Sequence, residues 1–162
     1  VLDGGITAWA QAGLALETES EPPKPVKFSF TPDMRTVATY SSVLGAIDDP
    51  ACVIVDNRSY AEFMGTDKRA LHGGAIPTAK HRDWVDLYDH QSGCMKDAVQ
   101  LRSAFESVQA LPDKDITLYC NTGYRSAHAY LALRLLNYPR IRNYVGSWQE
   151  WGNREGLPIW KP

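Results

Sequence analysis

Asp115-Ile116-Thr117-Leu118-Tyr119-Cys120-Asn121-Thr122-Gly123-Tyr124-Arg125, running into Ser126-Ala127-His128-Ala129-Tyr130-Leu131-Ala132-Leu133-Arg134-Leu135-Leu136, decides the fold. An apolar run of strand length ends at a cysteine, a short turn with one glycine follows, and a helical pattern begins at about Ser126. A loop wrapped around a helix start turns unpaired backbone N–H groups inward, and the helix adds roughly half a positive charge there. A thiol in that cradle is expected to have a lowered pKa and to be a nucleophile at neutral pH. Gly123 allows backbone geometry closed to other residues. Arg125, five residues after Cys120, stands where its guanidinium can pair with an oxyanion or brace the loop carbonyls.

Outward from that stretch, Cys52-Val53-Ile54-Val55-Asp56 is a second continuous apolar run, as expected of a central parallel strand covered on both faces. The polar trio Asp56-Asn57-Arg58 follows at its C-terminal edge, where ligands bind in open α/β sheets. A plainer reading gives Asp56 the cap of a short helix, Tyr60 to Met64, and pairs Arg58 with a carboxylate. Thr39 to Ile47 forms a helix with Tyr40, Val43, Leu44 and Ile47 on one face, and Asp97 to Val108 another, with Val99, Leu101, Phe105 and Val108 at helical spacing. After the loop, Leu131, Leu135 and Ala127 or Ala132 are expected to face the sheet. Arg142 to Val145 gives a last strand, Trp148 and Trp151 a short closing helix. Phe28-Ser29-Phe30 and Arg35 to Ala38 are weaker strand candidates. His72-Gly73-Gly74-Ala75-Ile76-Pro77 reads as a turn leading into a short strand, and Trp84 to Tyr88 as a helical turn. Strands alternating with helices imply an α/β fold, a central parallel sheet flanked by helices on both faces.

The 162 residues suit one domain. A net charge of -2, a pI near 6.1 and no basic run argue against a nucleic-acid partner. No apolar run approaches the roughly 20 residues that cross a membrane, and a soluble protein, cytoplasmic or periplasmic, is expected. Cys52, Cys94 and Cys120 are far apart, in neither CxxC nor zinc-like spacing, so neither a disulfide framework nor a metal site is expected. His72, His81 and His90 recur every nine residues, which puts no two on one helical face. No cofactor is implied.

The two ends of the chain resemble each other. Leu2-Asp3-Gly4-Gly5-Ile6-Thr7-Ala8-Trp9, followed by Gly13-Leu14-Ala15-Leu16, aligns with Tyr144-Val145-Gly146-Ser147-Trp148-Gln149-Glu150-Trp151, followed by Gly156-Leu157-Pro158-Ile159, with one inserted residue. Residues 1–18 therefore read as the tail of a preceding module. The charged, proline-rich residues 19–27 read as a linker and 28–162 as the catalytic domain.

Cys120-Asn121-Thr122-Gly123-Tyr124-Arg125 resembles the six-residue active-site loop of the rhodaneses, the thiosulfate sulfurtransferases, whose common form is Cys-x-x-Gly-x-Arg/Thr. Val55-Asp56-Asn57-Arg58 resembles that family's Asp-x-Arg strand end, Glu62-Phe63-x-Gly65 its next helix, and His72 to Pro77 its Gly-His-Ile-Pro-Gly-Ala segment. The Gly- and Trp-containing twins are similar to its domain ending. The resemblance implies a tandem sulfurtransferase in which a first module lacks the nucleophile and this second one carries it. Cys120 would then take a sulfane sulfur from a small anionic donor such as thiosulfate and pass it, as a persulfide, to cyanide or a thiol. Arg125 would assist, Asn121, Thr122, Gly123 and Tyr124 would line the substrate site, and Arg58 and Arg69 would supply further anion contacts. The neutral Asn121 and Thr122, and Glu62 where an arginine is common, leave 3-mercaptopyruvate as an alternative donor.

Two other readings stay open. Phosphatases related in fold use a Cys-x5-Arg loop, and here the arginine comes one residue sooner. Rhodanese-like domains also serve as non-enzymatic binding modules, whose usual mark is a missing cysteine.

Overall fold

The structure, a computed structural model, describes residues 1–161. Five parallel strands form one sheet: β1 (Val37–Ala38), β2 (Cys52–Asp56), β3 (Lys80–His81), β4 (Asp115–Tyr119) and β5 (Ile141–Tyr144), in the order β1-β5-β4-β2-β3. The two quoted apolar runs, β2 and β4, lie side by side in register from Cys52 opposite Asp115 to Asp56 opposite Tyr119. Both therefore finish at the same edge of the sheet, which places Asp56, Asn57 and Arg58 beside Cys120.

Side chains alternate between the two faces of a strand, and each face builds its own core. Val53, Val55, Ile116, Leu118 and Ile141 pack with Leu101 and Phe105 of α4 (Ala98–Glu106) and with Ala129 and Leu133 of α5 (Tyr124–Leu135). On the other face, Ile54, Tyr119 and Tyr144 meet Val43 and Ala46 of α2 (Tyr40–Ala46) and Trp148 and Trp151 of α6 (Ser147–Trp151). The sheet is thus covered on both sides. The remaining helices are α1 (Gly5–Gln11), α3 (Tyr60–Phe63) and two 3-10 turns, Met34–Thr36 and Trp84–Leu87.

Several local expectations are corrected. Phe28-Ser29-Phe30 forms no strand; its two rings are exposed and stack on each other at 5.5 Å. Only Val37–Ala38 of the next candidate pairs, because the Asp33 carboxylate caps the Arg35 N–H at 3.0 Å and turns Met34–Thr36 into a 3-10 helix. Ala75 makes an isolated antiparallel bridge to Trp160, and the short strand comes later, at Lys80–His81.

The buried faces of three helices also differ from the sequence reading. In α2, Val43 and Ala46 are buried while Leu44 is exposed, and in α4 Val99 is exposed. In α5, which starts at Tyr124, Ser126, Ala129, Ala132 and Leu133 face inward, whereas Ala127 and Leu135 face water. Apolar residues lie all around α5, so its sequence carries no dominant stripe; small residues on the inner face let the helix approach the sheet closely.

Candidate active site

The loop between β4 and α5 is held from outside by its carbonyls. The backbone N–H groups of Trp148 and Gln149, at the start of α6, donate to Cys120 O at 3.0 Å and Asn121 O at 2.9 Å, and Asn143 Nδ2 donates to Gly123 O at 3.2 Å. The Cys120 N–H donates to Ser147 Oγ at 3.1 Å, and that hydroxyl donates to Tyr144 O at 2.8 Å. Ser147 keeps this position with φ of 50°, a backbone strain of about 1–3 kcal/mol for a residue with a side chain. Gly123 has φ of 89°, and a Cβ there would stand 3.1 Å from Val145 O, so both conformation and space require glycine.

With the carbonyls turned outward, the N–H groups face the thiol. Cys120 is fully buried; the Gly123 N–H donates to its sulfur at 3.1 Å, and Ser126 Oγ lies 3.5 Å away. Burial pushes this thiol's pKa up. The Ser126 hydroxyl and the N–H groups of Ser126, Thr122 and Gly123 outweigh it, and the net direction is below the ordinary thiol value. The Ser126 hydroxyl has one hydrogen and two acceptors in reach, the sulfur and Gly123 O at 3.0 Å. Asn121 Oδ1 is buried and unpartnered, while Thr122 and Tyr124 face solvent at the rim.

Arg125, in the first turn of α5, has its pKa raised first by its hydrogen bond with Glu62 and also by Cys120. Its two terminal nitrogens donate to both oxygens of Glu62 at 2.7 and 2.8 Å. Glu62 is itself fixed by a capping box at the start of α3: its carboxylate accepts the Ser59 N–H at 3.1 Å, and the Ser59 hydroxyl accepts the Glu62 N–H at 3.3 Å. Burial raises the Glu62 pKa, but the bonds from Arg125 and Ser59 win and hold it down at about 2.

The helix cap expected of Asp56 thus belongs to Ser59. Asp56 instead anchors a buried cluster: Arg58 donates to it at 2.6–3.0 Å, and the Tyr119 hydroxyl donates to it at 2.5 Å while accepting the Ile76 N–H at 3.2 Å. Arg58, 1% exposed, also donates to Gly74 O at 2.8 Å and lies 4.3 Å over the Trp148 ring. The pairing of Arg58 with a carboxylate is as expected; the anion contact is not, because the guanidinium is closed in by Asp56, Gly74 and Trp148. Arg69 pairs with the exposed Asp67 at 2.9 Å and makes no hydrogen bond to the Cys120 loop.

Sequence reasoning missed Ser126, Asn143, Ser147 and Trp148. Ser126 carried a signal, since it directly follows the loop's arginine. The other three act across strands, which no local pattern reports. Among the described residues, no three His, Cys, Asp or Glu side chains are placed to hold a metal, and His81 Nε2 lies 2.8 Å from Arg58 O.

The rhodanese-like domain family matches residues 39–154. The chain is 32% identical to the thiosulfate sulfurtransferase of Azotobacter vinelandii, over 98% of this chain and 58% of that protein. It is 34% identical to the sulfur carrier protein TtuD of Thermus thermophilus, over 99% and 61%, and 30% identical to the 3-mercaptopyruvate sulfurtransferase of Escherichia coli K12, over 98% and 57%. It therefore spans little more than half the length of these curated relatives. A structure of EanB bearing a cysteine persulfide, with ergothioneine, superposes with a TM-score of 0.92 at 23% identity, over 99% of this chain and 41% of that one, and shares the fold. With the Cys120 loop, the strand end at Arg58 and the closing tryptophan helix all within or bordering the matched span, the chain belongs to the rhodanese-like family.

Proposed function

We propose that this chain transfers a sulfane sulfur through a persulfide on Cys120. The observation that carries the reading is the Gly123 N–H and the Ser126 hydroxyl placed 3.1 and 3.5 Å from one buried sulfur, whose pKa the neighbouring N–H groups of the loop also lower. Such a cradle stabilises a thiolate and, after loading, the terminal sulfur of a persulfide. With thiosulfate, the thiolate attacks the outer sulfur, a Cys120 S–S bond forms, and sulfite leaves with the electron pair of the broken S–S bond. A thiol or cyanide then attacks the outer sulfur of the persulfide and returns Cys120 to the thiolate. In this scheme Arg125 assists at the sulfur, Asn121 to Gly123 line the cradle, and the exposed Tyr124 borders the approach of the acceptor.

The names of two relatives favour thiosulfate and 3-mercaptopyruvate respectively as donors. The loop, one residue shorter than Cys-x5-Arg, favours sulfur over phosphate. We also read residues 1–18 as the tail of a preceding rhodanese-like module and 19–27 as the linker, which makes that module a partner of the catalytic domain 28–162.

The experiment is intact-mass and peptide mass spectrometry after incubation with thiosulfate. A gain of one sulfur on the Cys120 peptide, discharged by cyanide and absent from Cys120→Ala, is expected. A chain that stays unloaded with thiosulfate and with 3-mercaptopyruvate, or that hydrolyses a phosphate ester faster than its Cys120→Ser variant, overturns the reading.

A further inference from the structure

We infer that Glu62 sets the charge of the donor this site accepts: by clamping Arg125 in a bidentate pair beside Cys120, it selects singly charged or neutral sulfur donors over the dianion thiosulfate. The inference rests on the sulfurtransferase reading above and narrows its substrate class.

Of the three arginines considered for the site, Arg125 is the one whose charge interacts with Cys120, since Arg58 is enclosed by Asp56 and Gly74, and Arg69 is paired with Asp67. Its charge is met at 2.7 and 2.8 Å by a carboxylate that is only 3% exposed. At that burial, solvent and salt do little to screen the carboxylate from the pocket beside it. Glu62 cannot swing aside, because the Ser59 N–H holds one of its oxygens and the capping box fixes its backbone. Asp83 stands near Arg125, and Asp86, near Asp83, is neutralised by Arg82 at 3.0 Å.

What remains positive at the sulfur is the ring of loop N–H groups and the start of α5, equivalent to about half a charge. That matches a thiolate, a persulfide or a donor with one negative charge. A dianion brings a second charge, and among the described residues Arg58, Arg69 and Arg125 are each already paired with a carboxylate. The unpaired N–H groups of Arg125 can still touch an incoming oxyanion, so Arg125 assists binding while Glu62 limits how much charge it can hold.

Two donors with the same chemistry and different charge test this. Thiosulfate carries two negative charges and releases sulfite; benzenethiosulfonate carries one and releases benzenesulfinate. Both load the same outer sulfur onto Cys120. In Glu62→Gln, which keeps the shape and the capping box, the ratio of kcat/KM for thiosulfate to that for benzenethiosulfonate should rise about tenfold or more, mainly through the KM of thiosulfate. A substitution acting only on structure moves both donors by one factor, so an unchanged or lower ratio overturns the inference while sulfur transfer stands.

The wild-type protein supplies a second measurement that does not depend on how the variant folds. Its loading rate with thiosulfate should change less than about twofold as salt rises from low to physiological strength. A steep fall would reveal a net positive pocket and overturn the inference. If neither donor loads the wild-type protein, the sulfurtransferase reading fails first and this one with it.

Discussion

The twin motifs at the two ends of the chain share a local geometry and differ in everything beyond it. Each opens a short helix, Gly5–Gln11 or Ser147–Trp151, and each ends in a glycine of positive φ, 69° at Gly13 and 80° at Gly156. Each folds its tryptophan back on the segment that follows: Trp9 Nε1 donates to Ala15 O at 2.9 Å, Trp151 Nε1 to Pro158 O at 2.8 Å. Yet α1 buries no residue, whereas Trp148 and Trp151 are fully buried. The first twin is tied to the body by the Met95 N–H, which donates to Asp3 at 2.8 Å; the second donates its first helical N–H groups to the carbonyls of the Cys120 loop. A short sequence can fix a helix, a turn and an indole hydrogen bond by itself. Only a sheet behind it turns the same motif into core and into the support of the Cys120 loop.

The largest expected effect separates the loop from its support. Cys120→Ala should lower sulfur transfer by at least about 10³-fold while the thermal midpoint moves little, as a steady-state assay and a melting curve would show. A variant that keeps turnover would remove the thiol from the comparison altogether. Next comes the buried twin: Trp151→Ala should cost about 3–5 kcal/mol in denaturant unfolding. Trp9→Ala, on a residue still 39% exposed, should cost less than about 1 kcal/mol. Equal losses would mean that the ends are equivalent after all.

The acid limb of stability should report the pair at Glu62. Its carboxyl falls from an ordinary 4.5 to about 2 in the folded chain, so the folded state binds its proton later than the unfolded one. That stabilisation is complete above about pH 4.5 and is lost as pH falls from there toward 2. The loss is up to about 3 kcal/mol, and Glu62→Gln should flatten the curve in that window.

The smallest effect compares cysteines. Hydrogen bonds lower the pKa of Cys120, whereas burial and then Asp49 raise that of Cys52. Mapped alkylation should therefore label Cys120 at lower pH than Cys52, and the reverse order would break the assignment of the nucleophile.

How much was legible follows from distance along the chain. Strand, loop and helix around Cys120 are contiguous, so the cradle could be read from order alone: the apolar run ends where the N–H groups begin, and glycine sits where φ is 89°. The face of α5 could not be read, because small residues rather than large ones mark it. The partner of Arg125 lies 63 residues away at Glu62, and the carboxylate of the Tyr119 hydroxyl is equally remote at Asp56. Spacing along a chain carries no signal for such pairs; the parallel register of β2 and β4 creates them.

By itself, then, the sequence determined the parallel α/β architecture and the strand, loop and helix around Cys120, since each depends on residues within a few positions of one another. The tertiary structure decided which carboxylate each arginine meets. It enclosed Arg58 with Asp56 and Trp148, left Arg69 at the surface, and set Glu62 against Arg125. Charge at a site is a sum over everything near in space, and in this chain the terms of that sum come from strands and helices far apart in sequence.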